Sequence, residues 1–321
     1  MRTFVLLKSI YLLTAFALGL GWGPVTKGED ADGVKLGPAL TQRWQVGMIV
    51  DSMGTTCVGI YGTATVPTDW PEQSVKIIEE KISPQVSNLT YRTLDNGVRQ
   101  MVVTIAQLNP GETAQAMVTF EVTRHALLPP DDPSQFRVPA RPPREVRPFL
   151  GTSPYIESRH PKIRDATRDV VKAELPAWQQ VEAIYDWVRE HVEYKNGELK
   201  GALAALNDKT GDCEELTSLF IAMCRCSDIP ARTVWVPGHC YPEFYLEDAA
   251  GKGHWFPCQA AGTRSFGGIP EQRPILQKGD NYKVPEKKEP QRYVAEFLKM
   301  KGVRGGGKPN VRFVRDLLPA P

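Results

Sequence analysis

Between Thr41 and Thr123 apolar and polar residues alternate with a period of two, the signature of strands that bury one face. The clearest run is Ala114 to Val122, where Ala116, Val118, Phe120 and Val122 share a side. Further strands are predicted over Arg43 to Val50, Gly59 to Val66 and Gln100 to Ala106, with turns at Asn96-Gly97 and Pro110-Gly111. A small antiparallel β-sandwich over residues 41–125 is the packing that buries these faces. Residues 126–149 are rich in proline and charge, which predicts an extended linker. The period then becomes helical. Ile163, Ala166, Val170 and Val171 follow Pro161, and Trp178, Val181, Ile184, Tyr185, Val188 and Val192 follow Pro176. A short helical piece spans Ala202 to Leu206, and strands return at Thr233 to Val236, His239 to Leu246 and His254 to Cys258. The predicted fold class is α+β, a sandwich followed by a mixed domain over residues 150–270.

Residues 1–23 place Arg2 and Lys8 before an apolar run from Ile10 to Leu20, short for a membrane span and suited to a signal peptide. Export to a periplasmic, secreted or cell-envelope location is the expectation, with an uncleaved membrane anchor as its rival. The chain holds 39 Lys and Arg against 37 Asp and Glu, and the first 23 residues carry two of the bases and no acid. The remainder is formally neutral, which argues against a nucleic-acid partner. From Glu271 onward basic residues outnumber acidic ones, and residues 271–321 are expected to form a basic, solvated extension.

Candidate chemistry is concentrated at Asp212-Cys213-Glu214-Glu215, which precedes Leu216, Leu219, Phe220 and Met223 at the spacing of one helix face. Asp212 and Glu215 have the arrangement of a capping box, which puts Cys213 in the first helical turn. Unpaired backbone N–H groups and the positive end of the helix dipole favour thiolate there. Glu214 and Glu215 oppose that effect, so a nucleophilic Cys213 also needs an imidazole beside it. The alternative is a small buried cysteine with a packing role.

Gly211-Asp212-Cys213, followed by Leu219, Ala222, Arg225 and Asp228-Ile229-Pro230-Ala231-Arg232, resembles the nucleophile segment of bacterial transglutaminase-like proteins. His239-Cys240-Tyr241-Pro242-Glu243-Phe244-Tyr245-Leu246 resembles that family's histidine strand, and His254-Trp255-Phe256-Pro257-Cys258-Gln259 the strand after it. The resemblance covers roughly residues 150 to 265. It implies a papain-like catalytic domain without a cofactor, in which Cys213 attacks an amide carbonyl and His239 serves as general base and then acid. Gln259 stands where the family usually has aspartate. Its amide oxygen can orient an imidazole but supplies no charge. Trp187 and Tyr194 are candidate oxyanion or cleft residues, although their helix-stripe or helix-end context makes packing the more economical account. His254 reads as a supporting residue, and His125, His160 and His191 lie outside the motifs.

The implied activity is that of an exported cysteine-dependent amide hydrolase or acyl transferase working through a thioester on protein or peptide substrates. The alternative is a weak or inactive module that binds peptides or cell-envelope polymer. Cys224, Cys226, Cys240 and Cys258 lack the paired spacing of a zinc site. If His239 and Gln259 face each other directly on neighbouring antiparallel strands, Cys240 and Cys258 do so on the opposite side. A Cys240–Cys258 disulfide is then expected, with two reduced thiols as the alternative.

Overall fold

The computed structural model describes residues 33–305 and 308–319; the signal-peptide expectation lies outside them. The first six strands run consecutively: β1 (Lys35–Asp51), β2 (Thr56–Val66), β3 (Gln73–Ile82), β4 (Asn88–Thr93), β5 (Arg99–Leu108) and β6 (Thr113–Leu128). Four helices interleaved with short strands follow: α1 (Pro161–Val170), α2 (Ala177–His191), β7 (Glu193–Tyr194), α3 (Ala202–Asp208), β8 (Thr210–Gly211) and α4 (Cys213–Cys226). The remaining strands are β9 (Ala231–Val236), β10 (His239–Glu247), β11 (Gly253–Pro257), β12 (Gln277–Lys278), β13 (Phe297–Lys299), β14 (Gly302–Arg304) and β15 (Asn310–Leu317).

One sandwich sheet has the order β15-β1-β6-β3, and the other β13-β2-β5-β4 with β14 also paired to β2. The alternation read from the sequence sets their inner faces. Ala116, Val118, Phe120 and Val122 of β6 are buried against Trp44, Val46 and Met48 of β1 and Met101, Val103 and Ile105 of β5. Asn96 and Gly97 both take positive φ in the turn before β5. Edge strand β3 escaped prediction because charged Lys76, Glu79, Glu80 and Lys81 interrupt its apolar positions. Charges on an edge discourage further strand pairing.

Two expectations about connections are corrected. Residues 126–149 are no free linker. Phe136, Val146 and Phe149 are buried, and Arg137 exchanges backbone hydrogen bonds of 2.8 and 2.9 Å with Glu247 at the end of β10. Prolines remove N–H groups, but the residues between them keep theirs and can still dock on a sheet. Nor is the segment from Glu271 a solvated tail. It pairs with β9 through β12, with β2 through β13 and β14, and with β1 through β15, where Trp44 faces Leu317 and Asp51 faces Asn310. Its many basic residues hide the apolar Val311, Phe313 and Val314 that pack on the sandwich.

The second core lies between the sheet β11-β10-β9-β12 and the helices. Helix α4 is its axis, with every residue from Glu215 to Arg225 buried. Where the two cores meet, buried Lys278 is gripped by Glu72 of the sandwich at 2.6 Å and Glu243 of β10 at 2.8 Å, and Arg232 also reaches Glu243 at 2.8 Å. Burial raises the Glu243 pKa, but Lys278 and Arg232 outweigh it and hold it at about 2. Lys278→Met strips buried Glu72 of its cation and leaves Glu243 with Arg232 alone, so a stability loss of about 3–5 kcal/mol is expected in urea unfolding. An unchanged midpoint would exclude this cluster as a weld between the two cores.

Candidate active site

The residues singled out in the sequence converge at the N-terminal tip of α4. The Asp212 carboxylate accepts the Glu214 N–H at 2.8 Å, and the Glu215 carboxylate accepts the Asp212 N–H at 3.1 Å, completing the expected capping box. Glu215 also accepts the N–H of Lys200 at 2.9 Å. Burial pushes its pKa up, but these backbone donors prevail and lower it. Gly211 is required here, since a Cβ at that position would lie 2.3 Å from the Glu215 Cβ. Parallel pairing of Glu193 with Thr210 and Tyr194 with Gly211 anchors the approach to the helix. Cys213 is thereby the first helical residue, half-buried.

His239 opens β10 after the two-residue turn Pro237-Gly238, where Gly238 has φ of 70°. Its Nε2 donates to the Gln259 amide oxygen at 3.1 Å, leaving Nδ1 for the Cys213 sulfur. The backbone of Gln259 is itself clamped. Its carbonyl accepts from the Tyr185 hydroxyl and from Arg189 of α2, both at 2.9 Å, and its N–H donates to Ser265 at 2.8 Å.

The contact between His239 and Gln259 is the one expected, but the register is different. Glu243 faces Pro257 and Phe244 faces Phe256, so His239 and Gln259 are diagonal neighbours, two positions out of step with direct opposition. A long side chain spans that diagonal. The Cys240–Cys258 disulfide is consequently absent, and all six cysteines are free. The Cys258 N–H bonds to the Pro242 carbonyl at 3.0 Å, and its side chain lies in the core beside Cys224. Cys240 turns instead to the tip of α4.

That placement gives Cys240 a role the sequence reading missed. Its thiol donates to the Cys213 carbonyl oxygen at 3.5 Å, and this neighbouring donor is the largest influence lowering the Cys213 pKa to about 4. Burial opposes the shift, while the His239 imidazole and the Cys240 backbone N–H add to it. Burial also disfavours charge on His239, but hydrogen bonds to Cys213 and Gln259 outweigh it and raise its pKa above 6.5. Both directions favour a thiolate–imidazolium pair. In iodoacetamide labelling at pH 5, Cys213 is expected to react ahead of every other cysteine. Burial pushes the Cys224, Cys226, Cys240 and Cys258 thiols up. Peptide mapping that finds Cys226 or Cys57 labelled first would contradict the assignment.

The sulfur opens onto a cleft of about 390 Å³ lined by Tyr194, Trp235, His239, Arg292 and Tyr293. A second cleft of about 450 Å³ borders Gln259 and Arg273. Tyr194 thus reaches the cleft as expected, with its hydroxyl donating to Asn196 at 3.1 Å. Trp187 does not line it; its ring stacks on His191 with centroids 4.2 Å apart. His254 is buried and bonds Asp248 at 2.7 Å, supporting the turn between β10 and β11. Arg292 and Tyr293 come from the segment beyond Glu271, and nothing local in the sequence connects them to Cys213. Arg292 pairs with Glu214, the residue after the nucleophile. Among the described residues, no group of three or more His, Cys, Asp or Glu is placed to hold a metal ion.

Residues 164–260, which include Cys213, His239 and Gln259, match the family model described as Transglutaminase-like superfamily. The fold is similar to a crystal structure of a candidate cysteine protease from Cytophaga hutchinsonii. That likeness has a TM-score of 0.55 and 18% identity, covering 88% of this chain and 94% of the other. Comparison with curated proteins finds no match.

Proposed function

With residues 164–260 forming a transglutaminase-like domain, we propose that the protein is an exported cysteine-dependent enzyme that cleaves or transfers the acyl group of peptide or protein amides. The observation that carries this reading is the hydrogen-bonded chain from the Cys213 sulfur through His239 to Gln259 at a helix N-terminus. The Cys213 thiolate attacks the amide carbonyl carbon, and His239, as imidazolium, protonates the departing amine. The resulting thioester is attacked by water or by an amine, with neutral His239 taking the proton from the incoming nucleophile. Gln259 holds the imidazole in position without contributing charge. Open clefts beside Cys213 and His239 and beside Gln259 give room for an extended chain.

The neutral Gln259 favours one second reading, a fold retained for binding peptides with catalysis weakened. Incubating the protein with an amide library, with and without a primary amine, separates the possibilities by mass spectrometry. Hydrolysis alone identifies a peptidase or amidase, amine incorporation identifies a transferase, and unchanged masses in both arms defeat the enzymatic reading.

A further inference from the structure

Two sulfurs of unequal accessibility meet at the tip of α4. Cys213 is half-buried and faces the cleft. Cys240, one residue beyond His239, is 1% exposed, and its thiol donates to the Cys213 carbonyl oxygen at 3.5 Å, which sets the two cysteines side by side. A small oxidant entering the cleft therefore meets Cys213, while Cys240 is buried and does not line the cleft. The other thiols are engaged elsewhere: Cys226 donates to the Ser158 carbonyl at 2.7 Å, Cys224 and Cys258 are together in the helical core, and Cys57 is within the sandwich.

We propose that Cys213 is a site of peroxide modification and that Cys240 is its resolving thiol, closing a reversible Cys213–Cys240 disulfide. In the first step the Cys213 thiolate attacks one oxygen of hydrogen peroxide. An S–O bond forms, the O–O bond breaks, hydroxide leaves, and the cysteine becomes a sulfenic acid. In the second, the Cys240 sulfur attacks the Cys213 sulfur, the S–O bond breaks, and the oxygen departs as water with the Cys240 proton. Two electrons pass from the thiols to the peroxide, and a dithiol reductant returns them. The disulfide removes the nucleophile and shields it from irreversible oxidation to sulfinic acid. Burial of Cys240 suits this role, since a resolving thiol that solvent cannot reach is spared direct oxidation itself.

The inference rests on Cys213 being the accessible thiolate of the proposed function, but not on acyl transfer, and its readout is independent of turnover. The full chain is treated with a several-fold molar excess of hydrogen peroxide, enough for the second oxidation that sulfinic acid requires, then alkylated, digested without reduction and mapped by mass spectrometry. The expected product is a Cys213 peptide joined to a Cys240 peptide, lighter by two hydrogens than their sum and released by dithiothreitol. In Cys240→Ser, and in Cys240→Ala should the serine variant fail to fold, the same treatment should give Cys213 sulfinic acid that dithiothreitol cannot reverse. A parent protein that yields Cys213 sulfinic acid without the linked pair, or a disulfide from Cys213 to another cysteine, overturns the proposal. So does a Cys240 variant whose Cys213 stays reversibly oxidised.

Discussion

Cys213→Ala is expected to lower amide turnover by roughly 10⁴-fold or more, the scale on which removing a covalent nucleophile acts. The loss should fall on kcat, with KM and the unfolding midpoint little changed. Alanine is a good helix former, and the capping box that starts α4 depends on Asp212 and Glu215. In the parent, kcat/KM should be bell-shaped in pH. The active thiolate–imidazolium pair is gained as pH rises through the Cys213 pKa of about 4 and lost above the raised pKa of His239. Residual turnover close to that of the parent would move the nucleophile elsewhere. Loss of structure in circular dichroism would show that Cys213 is a packing residue.

The second large effect is expected at Gln259. Leucine has a similar size but cannot accept the Nε2 proton of His239, so Gln259→Leu should lose about 10²-fold in kcat through a misoriented imidazole. Gln259→Glu keeps the reach needed for the diagonal contact and adds a negative charge. It should retain the parent rate or exceed it, while raising the His239 pKa further and moving the alkaline limb to higher pH. Equal rates for the leucine variant and the parent would remove Gln259 from the site. An alkaline limb unmoved by glutamate would show that the group at 259 does not touch the imidazole.

What could be read from the sequence was what depends on near neighbours. The cap around Cys213, the buried face of β6 and the stripe on α2 each rest on interactions spanning a few residues, and each formed as read. The pairing of His239 with Gln259 was also legible, but its register was not. Direct and diagonal contacts put the same two side chains together while displacing every neighbour, and the expected Cys240–Cys258 bridge failed on that difference. Contacts across the whole chain left no local trace. Val311, Phe313 and Val314 look unremarkable among arginines until β1 is present to receive them. Likewise Arg292 has no sequence relation to the Glu214 it pairs with.

The pairing of β1 with β15 has a consequence for how the protein is made. On the ribosome, the strand that begins at Lys35 emerges long before Asn310 has been translated, and until then one edge of its sheet is open. Loop-closure entropy is already met by the intervening helices and sheet once they have folded, so the late strand docks on a prepared surface. Arg292 and Tyr293 arrive with the same returning segment and complete the wall of the cleft. A nascent chain therefore acquires its nucleophile before its finished cleft, which separates a reactive thiol from a competent site until Arg292 and Tyr293 have been made and docked.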